Sequence, residues 1–295
     1  MTRHEMLEER LRGGARILID GATGTEVERR GVPQLDGAWN GGAALSHPEI
    51  LRAIHEDYIR AGAEIIISNT FATGRHTLAD AGEAANFAAY NRRGVEIAIE
   101  ARAALERPDV LVAGGISYWS FTDRHPPLSV LADGVAAQAK IMAEAGADLL
   151  MLEMMVEIDR MLTTLEAAQT CGLPVWVGLS AKPNDAGLMC LYRGEPLADA
   201  VAALAERAPA GITIMHTEVA YVDACLDILD GAWDGLVGVY AHTGGMVDGK
   251  WTFEDMITPA AYALAARRWL ARGVGAVGGC CGIRPAHIER LRAEI

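Results

Sequence analysis

Residues 149–180, LLMLEMMVEIDRMLTTLEAAQTCGLPVWVGLS, have the sequence pattern of one strand–helix–strand unit. Leu149–Glu153 and Val175–Ser180 are apolar almost throughout, as expected of parallel strands that are buried on both faces. Between them, Ile158–Cys171 is amphipathic with the spacing of a helix. The stretch therefore predicts two parallel strands joined by a crossover helix.

The same alternation runs along the whole chain. Six more apolar runs predict buried strands: Ala15–Asp20, Glu64–Thr70, Val110–Ile116, Ile212–His216, Leu236–Tyr240 and Ala276–Cys280. Further amphipathic segments predict helices at Glu83–Glu106, Asp133–Ala145, Leu197–Arg207, Ala220–Leu229, Pro259–Arg272 and Pro285–Ala293. Eight such units favour closure into a (β/α)₈ TIM barrel that forms a single α/β domain over residues 1–295. An open doubly wound sheet is the alternative, but Gly21-Ala22-Thr23-Gly24-Thr25 matches a dinucleotide-binding fingerprint only weakly.

Helix signals and loop positions fit a barrel. A helix opens near Ser46, the expected cap, with Pro48 in its first turn and Gly62 as a left-handed stop. The longest irregular segments each follow a strand, so we expect them at the carboxyl-terminal face of the barrel, where active-site loops lie. These segments are Arg30–Ala44, Trp119–Leu131 and Ala181–Glu195.

Composition excludes several classes of function. Apolar residues make up 51% of the chain, and the formal net charge is −13. The negative charge argues against nucleic-acid or anionic-membrane partners, which need basic surfaces. The amino terminus lacks the apolar core of a signal peptide, and no segment approaches the roughly 20 apolar residues of a membrane span. The five cysteines are odd in number, which favours a reduced, cytoplasmic protein over a disulfide framework.

The most informative motif is Gly278-Gly279-Cys280-Cys281-Gly282, at the end of the eighth predicted strand. Two thiolates flanked by glycines make half of a site for a soft metal such as Zn²⁺. The other interpretation is a pair of small buried residues or a strained vicinal disulfide. A third ligand can come from another strand end. His216 and His242 both qualify, and their spacing does not separate them.

Two acidic residues also lie at strand ends. Asp20 ends the first predicted strand and Glu153 the fourth. A carboxylate at the mouth of a barrel is costly to desolvate unless it meets a cation or hydrogen-bond donors. The ammonium of an amino-acid substrate is one such cation, and a salt bridge or cap between loops is the alternative.

Aromatic residues form a third group of candidates in loops that follow strands. They are Trp39, Phe71, Tyr118, Trp119 and Phe121. Stacked aromatic faces can hold an onium methyl donor by cation–π attraction, worth about 0.5–2 kcal/mol per ring. Ordinary loop packing is the alternative for any one of these rings.

Taken together, these motifs resemble those of the homocysteine S-methyltransferase family along nearly the whole chain. The matching segments are Asp20–Glu26, Leu45–Glu49, Tyr58–Ala63, Ser68–Phe71, Leu152-Glu153, Gly278–Gly282 and Pro285–Ile288. The resemblance implies a (β/α)₈ barrel, zinc bound by three cysteines with Cys280 and Cys281 as two of them, and methyl transfer to homocysteine. It places Asp20 and Glu153 at the amino-acid part of homocysteine, and Asn69 and Thr70 near the site.

The chain departs from the family pattern in two places. The family has Asn-Cys at the end of the sixth strand, where this chain has Met215-His216. The seventh-strand motif Pro-Asn-Ser-Gly-Glu is replaced by Ala241-His242-Thr243-Gly244-Gly245. Because zinc accepts imidazole readily, we expect His216 to take the place of the third cysteine.

The expected function is therefore zinc-dependent transfer of a methyl group from a sulfonium or ammonium donor to homocysteine or a related small thiol. One alternative is a demethylase that acts on another onium donor with a different thiol acceptor. Another is a non-catalytic zinc-binding barrel, whose site would be closed if His242 joined His216 and the two cysteines. The expected partners are small molecules, and a homo-oligomer is left open.

Overall fold

The computed structural model describes residues 1–247, 250–253 and 257–295, and a parallel sheet lies at its centre. The strands of this sheet are β1 (Ile17–Leu18), β2 (Ile65–Ile67), β3 (Leu111–Ile116), β4 (Leu149–Met155), β5 (Val175–Leu179), β6 (Gly211–Glu218), β7 (Val237–His242) and β8 (Ala276–Val277). They are hydrogen-bonded in the order β1-β8-β7-β6-β5-β4-β3-β2. A parallel bridge between Ile19 and Ile65 joins β1 to β2. The sheet closes, which confirms the predicted barrel and excludes the open-sheet alternative.

The helices surround this barrel. They are α1 (Arg3–Arg12), α2 (Thr23–Arg29), α3 (Ala43–Ser46), α4 (Pro48–Ala61), α5 (Arg75–Asp80), α6 (Phe87–Ala104), α7 (Leu128–Ala145), α8 (Ile158–Gln169), α9 (Leu197–Ala205), α10 (Val222–Leu229), α11 (Pro259–Ala271) and α12 (Pro285–Arg292). Among the described residues, no helix combines the length and the apolar character that crossing a bilayer requires.

The predicted elements are present, with shifted ends. At α4 the predicted stop is confirmed, because Gly62 has a φ of 115° in the left-handed region. The predicted cap is wrong: Ser46 ends α3, where its hydroxyl donates to the carbonyl of Gly42, and His47 occupies the cap position of α4. The segment 181–195 is also more regular than expected, since Ala181–Pro183 and Met189–Leu191 pair as an antiparallel hairpin.

The two ends of the barrel differ. Helix α1 packs against the amino-terminal end, where the indole of Trp176 donates to His4 at 3.2 Å and Leu7 is fully buried. At the carboxyl end, two strands carry register shifts near their last residues: β4 between Leu152 and Met155, and β6 between Met215 and Glu218. Such bulges re-aim side chains at the rim of a barrel, which is where the candidate site lies.

Candidate functional site

A cavity of about 260 Å³ opens at the carboxyl ends of the strands. This main cavity is bounded by side chains from the loops after β1, β2 and β3 and from the ends of β4, β6 and β8. They include Trp39, Asn69, Phe71, Trp119, Phe121, Glu153, His216, Cys280 and Cys281. Catalytic sites of α/β barrels occupy this end, so the residues converge where chemistry is expected.

His216, Cys280 and Cys281 meet at one wall of the main cavity. The Nδ1 atom of His216 lies 3.4 Å from the sulfur of Cys280, and the two sulfurs are 3.9 Å apart. All three potential ligand atoms lie within 4.8 Å of one another. Within the described parts of the chain, no other group of three or more His, Cys, Asp or Glu side chains meets this criterion.

These separations fit a tetrahedral metal centre. With Zn–S bonds of about 2.3 Å and Zn–N bonds of about 2.0–2.1 Å, tetrahedral angles place two sulfurs ~3.8 Å apart and a nitrogen and a sulfur ~3.6 Å apart. The cluster also has the soft sulfur and imidazole donors that suit zinc. The described residues can therefore hold a metal ion through three protein ligands.

Close packing of the backbone explains the glycines around the cysteines. A Cβ atom at Gly279 would lie 2.2 Å from a side-chain carbon of Ile283, and one at Gly278 would lie 2.6 Å from Ile19. Gly282 has a φ of 84°, which disfavours any residue with a side chain. The backbone of Cys280 is held at the same time, because its N–H donates to the carbonyl of Ala241 at 2.9 Å.

The β6 bulge and a tyrosine position His216. Its φ of 41° is unusual for a residue with a side chain. The hydroxyl of Tyr192, which follows the hairpin after β5, donates to the carbonyl of His216 at 2.7 Å. The two rings also meet edge to face, with centroids 6.1 Å apart. This role of Tyr192 could not be predicted from the sequence, because the contact joins the segment after the hairpin to the end of β6.

His242 lies beside the cluster and outside it. Its ring stacks on that of His216 with centroids 4.4 Å apart and an angle of 17° between the planes. Burial, together with the neighbouring His216, lowers the pKa of His242 to about 3, so its ring is neutral. Of the two histidines left open by the sequence, His216 is the one grouped with the cysteines.

Glu153 and Asn69 border the main cavity. Burial raises the pKa of Glu153 to about 8, and its carboxyl group has no hydrogen-bond partner among the described residues. A cationic group of a ligand would compensate this buried carboxylate. The side-chain amide of Asn69 donates to the carbonyl of Asn40 at 2.9 Å, which fixes its position at the rim.

Asp20 and Thr70 lie behind the cavity wall instead of at its surface. Asp20 is fully buried, and one carboxylate oxygen accepts from the N–H of Ile67 at 2.8 Å. Its other oxygen has no partner among the described residues, and burial raises its pKa well above the usual range. The hydroxyl of Thr70 donates to the carbonyl of Gly115 at 2.8 Å. Thr70 is therefore bonded to the backbone of β3 and is not among the residues that line the main cavity.

Four of the five aromatic candidates line the main cavity. Phe121 is central: its ring centroid lies 6.2 Å from that of Trp39 and 6.3 Å from that of Phe71, and Trp119 also lines the wall. Tyr118 does not reach the cavity. Its hydroxyl accepts the N–H groups of Val156 and Glu157 at 2.6 and 2.8 Å. These bonds tie the loop to the end of β4, so the prediction of Tyr118 in a donor pocket is not supported.

A second cavity of about 470 Å³ adjoins the first. This side cavity shares Trp119, Met154, His216 and Phe253 with the main cavity, and its remaining wall comes from Ala181, Lys182, Tyr192, Arg193, Glu218 and Tyr221. The sequence placed the segment 181–195 at this face of the barrel. It did not single out Lys182 or Arg193, whose significance depends on how the hairpin folds over the site.

Comparison with known proteins agrees with this architecture. The profile of the homocysteine S-methyltransferase family matches residues 17–295. The homocysteine S-methyltransferase of Escherichia coli K12 is 30% identical, with 94% of each chain covered, and Homocysteine S-methyltransferase YbgG of Bacillus subtilis is 27% identical over 94% of this chain and 93% of its own. The metallated form of the homocysteine methyltransferase MmuM from E. coli superposes with a TM-score of 0.79 at 26% identity, covering 95% of this chain and 96% of that one. The fold, the motifs and these matches together show that the chain belongs to the homocysteine S-methyltransferase family.

Proposed function

We propose that this protein transfers a methyl group from a sulfonium or ammonium donor to homocysteine or a related small thiol, with Zn²⁺ bound by His216, Cys280 and Cys281. The observation that carries the proposal is the convergence of these three side chains at the wall of the main cavity. Family membership supports the reaction type, since the relatives are named as homocysteine S-methyltransferases.

Three protein ligands suit a catalytic zinc site, which keeps a fourth position for substrate. When bound, zinc lowers the pKa of an incoming thiol and so makes the nucleophilic thiolate available near neutral pH. The surrounding protein residues hold the three ligands in position. Tyr192 holds the backbone of His216, and the close-packed glycines hold both cysteines.

The remaining walls suit the two substrates. Glu153 and Asn69 lie where they can bind the ammonium and polar groups of an amino-acid thiol, with the unpartnered oxygen of Asp20 behind them. Trp39, Phe71, Trp119 and Phe121 present aromatic surface to an onium donor. Because these rings also exclude water, they strengthen electrostatic interactions inside the cavity.

The demethylase and the non-catalytic barrel make different demands on the same site. A demethylase would use the same ligands with another donor and acceptor, so only a substrate panel separates it from the proposal. A closed zinc site needs a fourth protein ligand. Among the described residues, the cluster contains three, and His242 stacks on His216 beside them.

The first experiment measures bound metal and methylated thiol in the same preparations. We expect about one zinc per chain and transfer from at least one donor in a panel of sulfonium and ammonium compounds. C280S and H216A should each weaken zinc binding by more than about 100-fold, because even outer-sphere changes cost 10–100-fold. C171S is the matched control, since Cys171 is a half-buried thiol outside the cluster.

Two results would count against the proposal. One is a metal-free protein that responds neither to added zinc nor to thiol. The other is full zinc retention in C280S and H216A, which would place the metal elsewhere. Zinc binding without methyl transfer from any donor would instead favour the non-catalytic barrel.

A further inference from the structure

We propose that Met215 is a positioning residue whose sulfur couples Glu153 to His216, so that the substrate side and the metal side of the main cavity are held together. The inference rests on the proposed function and adds to it the contact that fixes these two sides relative to each other. Met215 belongs to the Met215-His216 pair, one of the two places where this chain departs from the family pattern.

The sulfur of Met215 contacts the bulge of β4. It accepts the N–H of Met154 at 3.2 Å, and the hydroxyl of Ser180 lies 3.1 Å from it. The side chain of Met215 borders the main cavity but is only 1% exposed. A buried N–H that loses its acceptor is costly, so the thioether, although a weak acceptor, stabilises the main chain at Met154 in its observed position.

A glycine on β5 makes room for this contact. Strand β5 lies between β4 and β6 in the sheet, so the side chain of Met215 has to cross it. A Cβ atom at Gly178 would lie 2.6 Å from Cγ of Met215 and 2.7 Å from the carbonyl oxygen of Leu152. Both distances are too short for real atoms. The lack of a side chain at position 178 therefore permits the link between β6 and β4.

On the substrate side, the position of Glu153 depends on the main chain that Met215 holds. Glu153 directly precedes Met154 and has no side-chain hydrogen bond or ion pair within the described parts of the chain. A Cβ atom at Gly115 would lie 2.7 Å from its Oε2 atom, so the carboxyl group lies against the backbone of β3. Its direction is therefore set by the end of β4.

On the metal side, Met215 directly precedes His216. The carbonyl of Met215 accepts the hydroxyl of Ser180 at 3.0 Å and that of Thr217 at 3.2 Å, which holds the main chain next to the metal ligand. A displacement of Met215 would move His216 relative to Cys280. One side chain thus connects the carboxylate that faces the substrate with the imidazole that faces the metal.

M215L tests the sulfur, because leucine nearly preserves the volume of methionine and removes the acceptor. Calorimetry on the zinc-loaded protein should show homocysteine binding weakened about tenfold, as expected when one buried donor loses its partner. The visible spectrum of the Co²⁺-substituted protein should shift, because the geometry at His216 changes. M161L is the matched control and should leave both readouts unchanged, since Met161 is fully buried on the outer helix α8.

Two further variants separate positioning from packing. M215Q keeps an acceptor at a similar distance from the main chain, so it should recover most of the homocysteine affinity that M215L loses. M215L should also cost less affinity in the E153Q background than in the wild type, because part of its effect passes through Glu153. A residue that only fills space would give the same loss in both backgrounds.

Three results would overturn the role of Met215: M215L that matches M161L in affinity and spectrum, M215Q that binds no better than M215L, or an undiminished loss in the E153Q background. The binding and spectral measurements need no turnover. If M215L weakens homocysteine binding while the wild type transfers no methyl group, the positioning role stands and the proposed reaction fails. If turnover occurs and M215L binds homocysteine as the wild type does, the reaction stands and this inference fails.

Discussion

At the level of single residues, two non-glycine residues with positive φ lie at the carboxyl ends of β4 and β6, beside the cluster of His216, Cys280 and Cys281. Met154 and His216 have φ values of 57° and 41°, and each lies within the bulge near the end of its strand. Residues held in this region cost about 1–3 kcal/mol each and persist only where the surroundings enforce them. Here the enforcing contacts are direct: the N–H of Met154 donates to the sulfur of Met215 at 3.2 Å, and Ser180 donates to the carbonyl of Met215 at 3.0 Å.

Glu153 should make the stability of the metal-free protein depend on pH. Its folded-state pKa of about 8 lies above the ordinary value of 4.5, because burial favours the neutral acid. Between these two values unfolding releases a proton, so the free energy of unfolding falls as pH rises. E153Q cannot ionise, and its stability relative to wild type should therefore increase from pH 5 to pH 8, by a few kcal/mol at most.

Urea unfolding of the metal-free wild type and E153Q at a series of pH values measures this effect. E157Q is a suitable comparison, since Glu157 is a partly exposed carboxylate already paired with Arg160 at 3.1 Å. The same pH slope in wild type and E153Q would show that Glu153 is ionised at neutral pH in the folded protein.

The site residues also show how much of the site could be predicted from the sequence. The loops and strand ends that meet at the cavity were predictable, because strand order and barrel geometry determine them. The direction of each side chain was not predictable. Asp20, Thr70 and Tyr118 lie in the expected segments, but their side chains form hydrogen bonds with backbone groups of β2, of β3 and of Val156, which follows β4.

At the level of secondary-structure elements, the residue that follows the hairpin after β5 forms a hydrogen bond with the end of β6. Tyr192 follows the second hairpin strand and donates to the carbonyl of His216. Y192F removes this donor and leaves the ring in place. We expect it to lower zinc affinity by about 10–100-fold, the usual cost of losing a contact that orients a metal ligand.

Chelator competition measures the zinc affinity of Y192F, and the visible spectrum of the Co²⁺-substituted protein reports on ligand geometry. Y221F is the control, because Tyr221 also lines the side cavity but has no hydrogen bond to His216. An unchanged affinity and an unchanged Co²⁺ spectrum in Y192F would show that the bulge holds His216 without the hydroxyl.

Strands were easier to predict than bulges, for a physical reason. All eight strands lie within or overlap the apolar runs of the sequence, since parallel strands buried on both faces need such runs. In an apolar run without alternation of polar and apolar residues, one extra residue does not change the sequence pattern. The bulges of β4 and β6, which extend both strands beyond the predicted ends at Glu153 and His216, were therefore invisible in the sequence.

At the level of the whole molecule, the cluster of His216, Cys280 and Cys281 joins distant parts of the chain. His216 lies on β6, and the two cysteines follow β8, with β7 between these strands in the sheet. Zinc bound by the folded protein and not by the unfolded chain should stabilise the fold, by about 4 kcal/mol at a free concentration of 1,000 Kd. We expect zinc to raise the Tm of the apo-protein by several degrees.

Differential scanning calorimetry with and without zinc tests this linkage. The C280S/C281S double variant should show no such rise, and C171S should behave as wild type does. An equal rise in the double variant would indicate that zinc stabilises the protein from another site.

The conformation of His216 also bears on how such a site can arise. The Nδ1 atom of a histidine is two bonds beyond Cβ, whereas the sulfur of a cysteine is one bond beyond it, so the two side chains need different backbone positions to reach the same point. From a backbone with a φ of 41°, the Nδ1 atom of His216 comes within 3.4 Å of the sulfur of Cys280. We therefore expect a cysteine introduced at position 216 alone to fall short of the cluster, so that exchange between the two ligand types would need a change in the strand end as well as in the side chain.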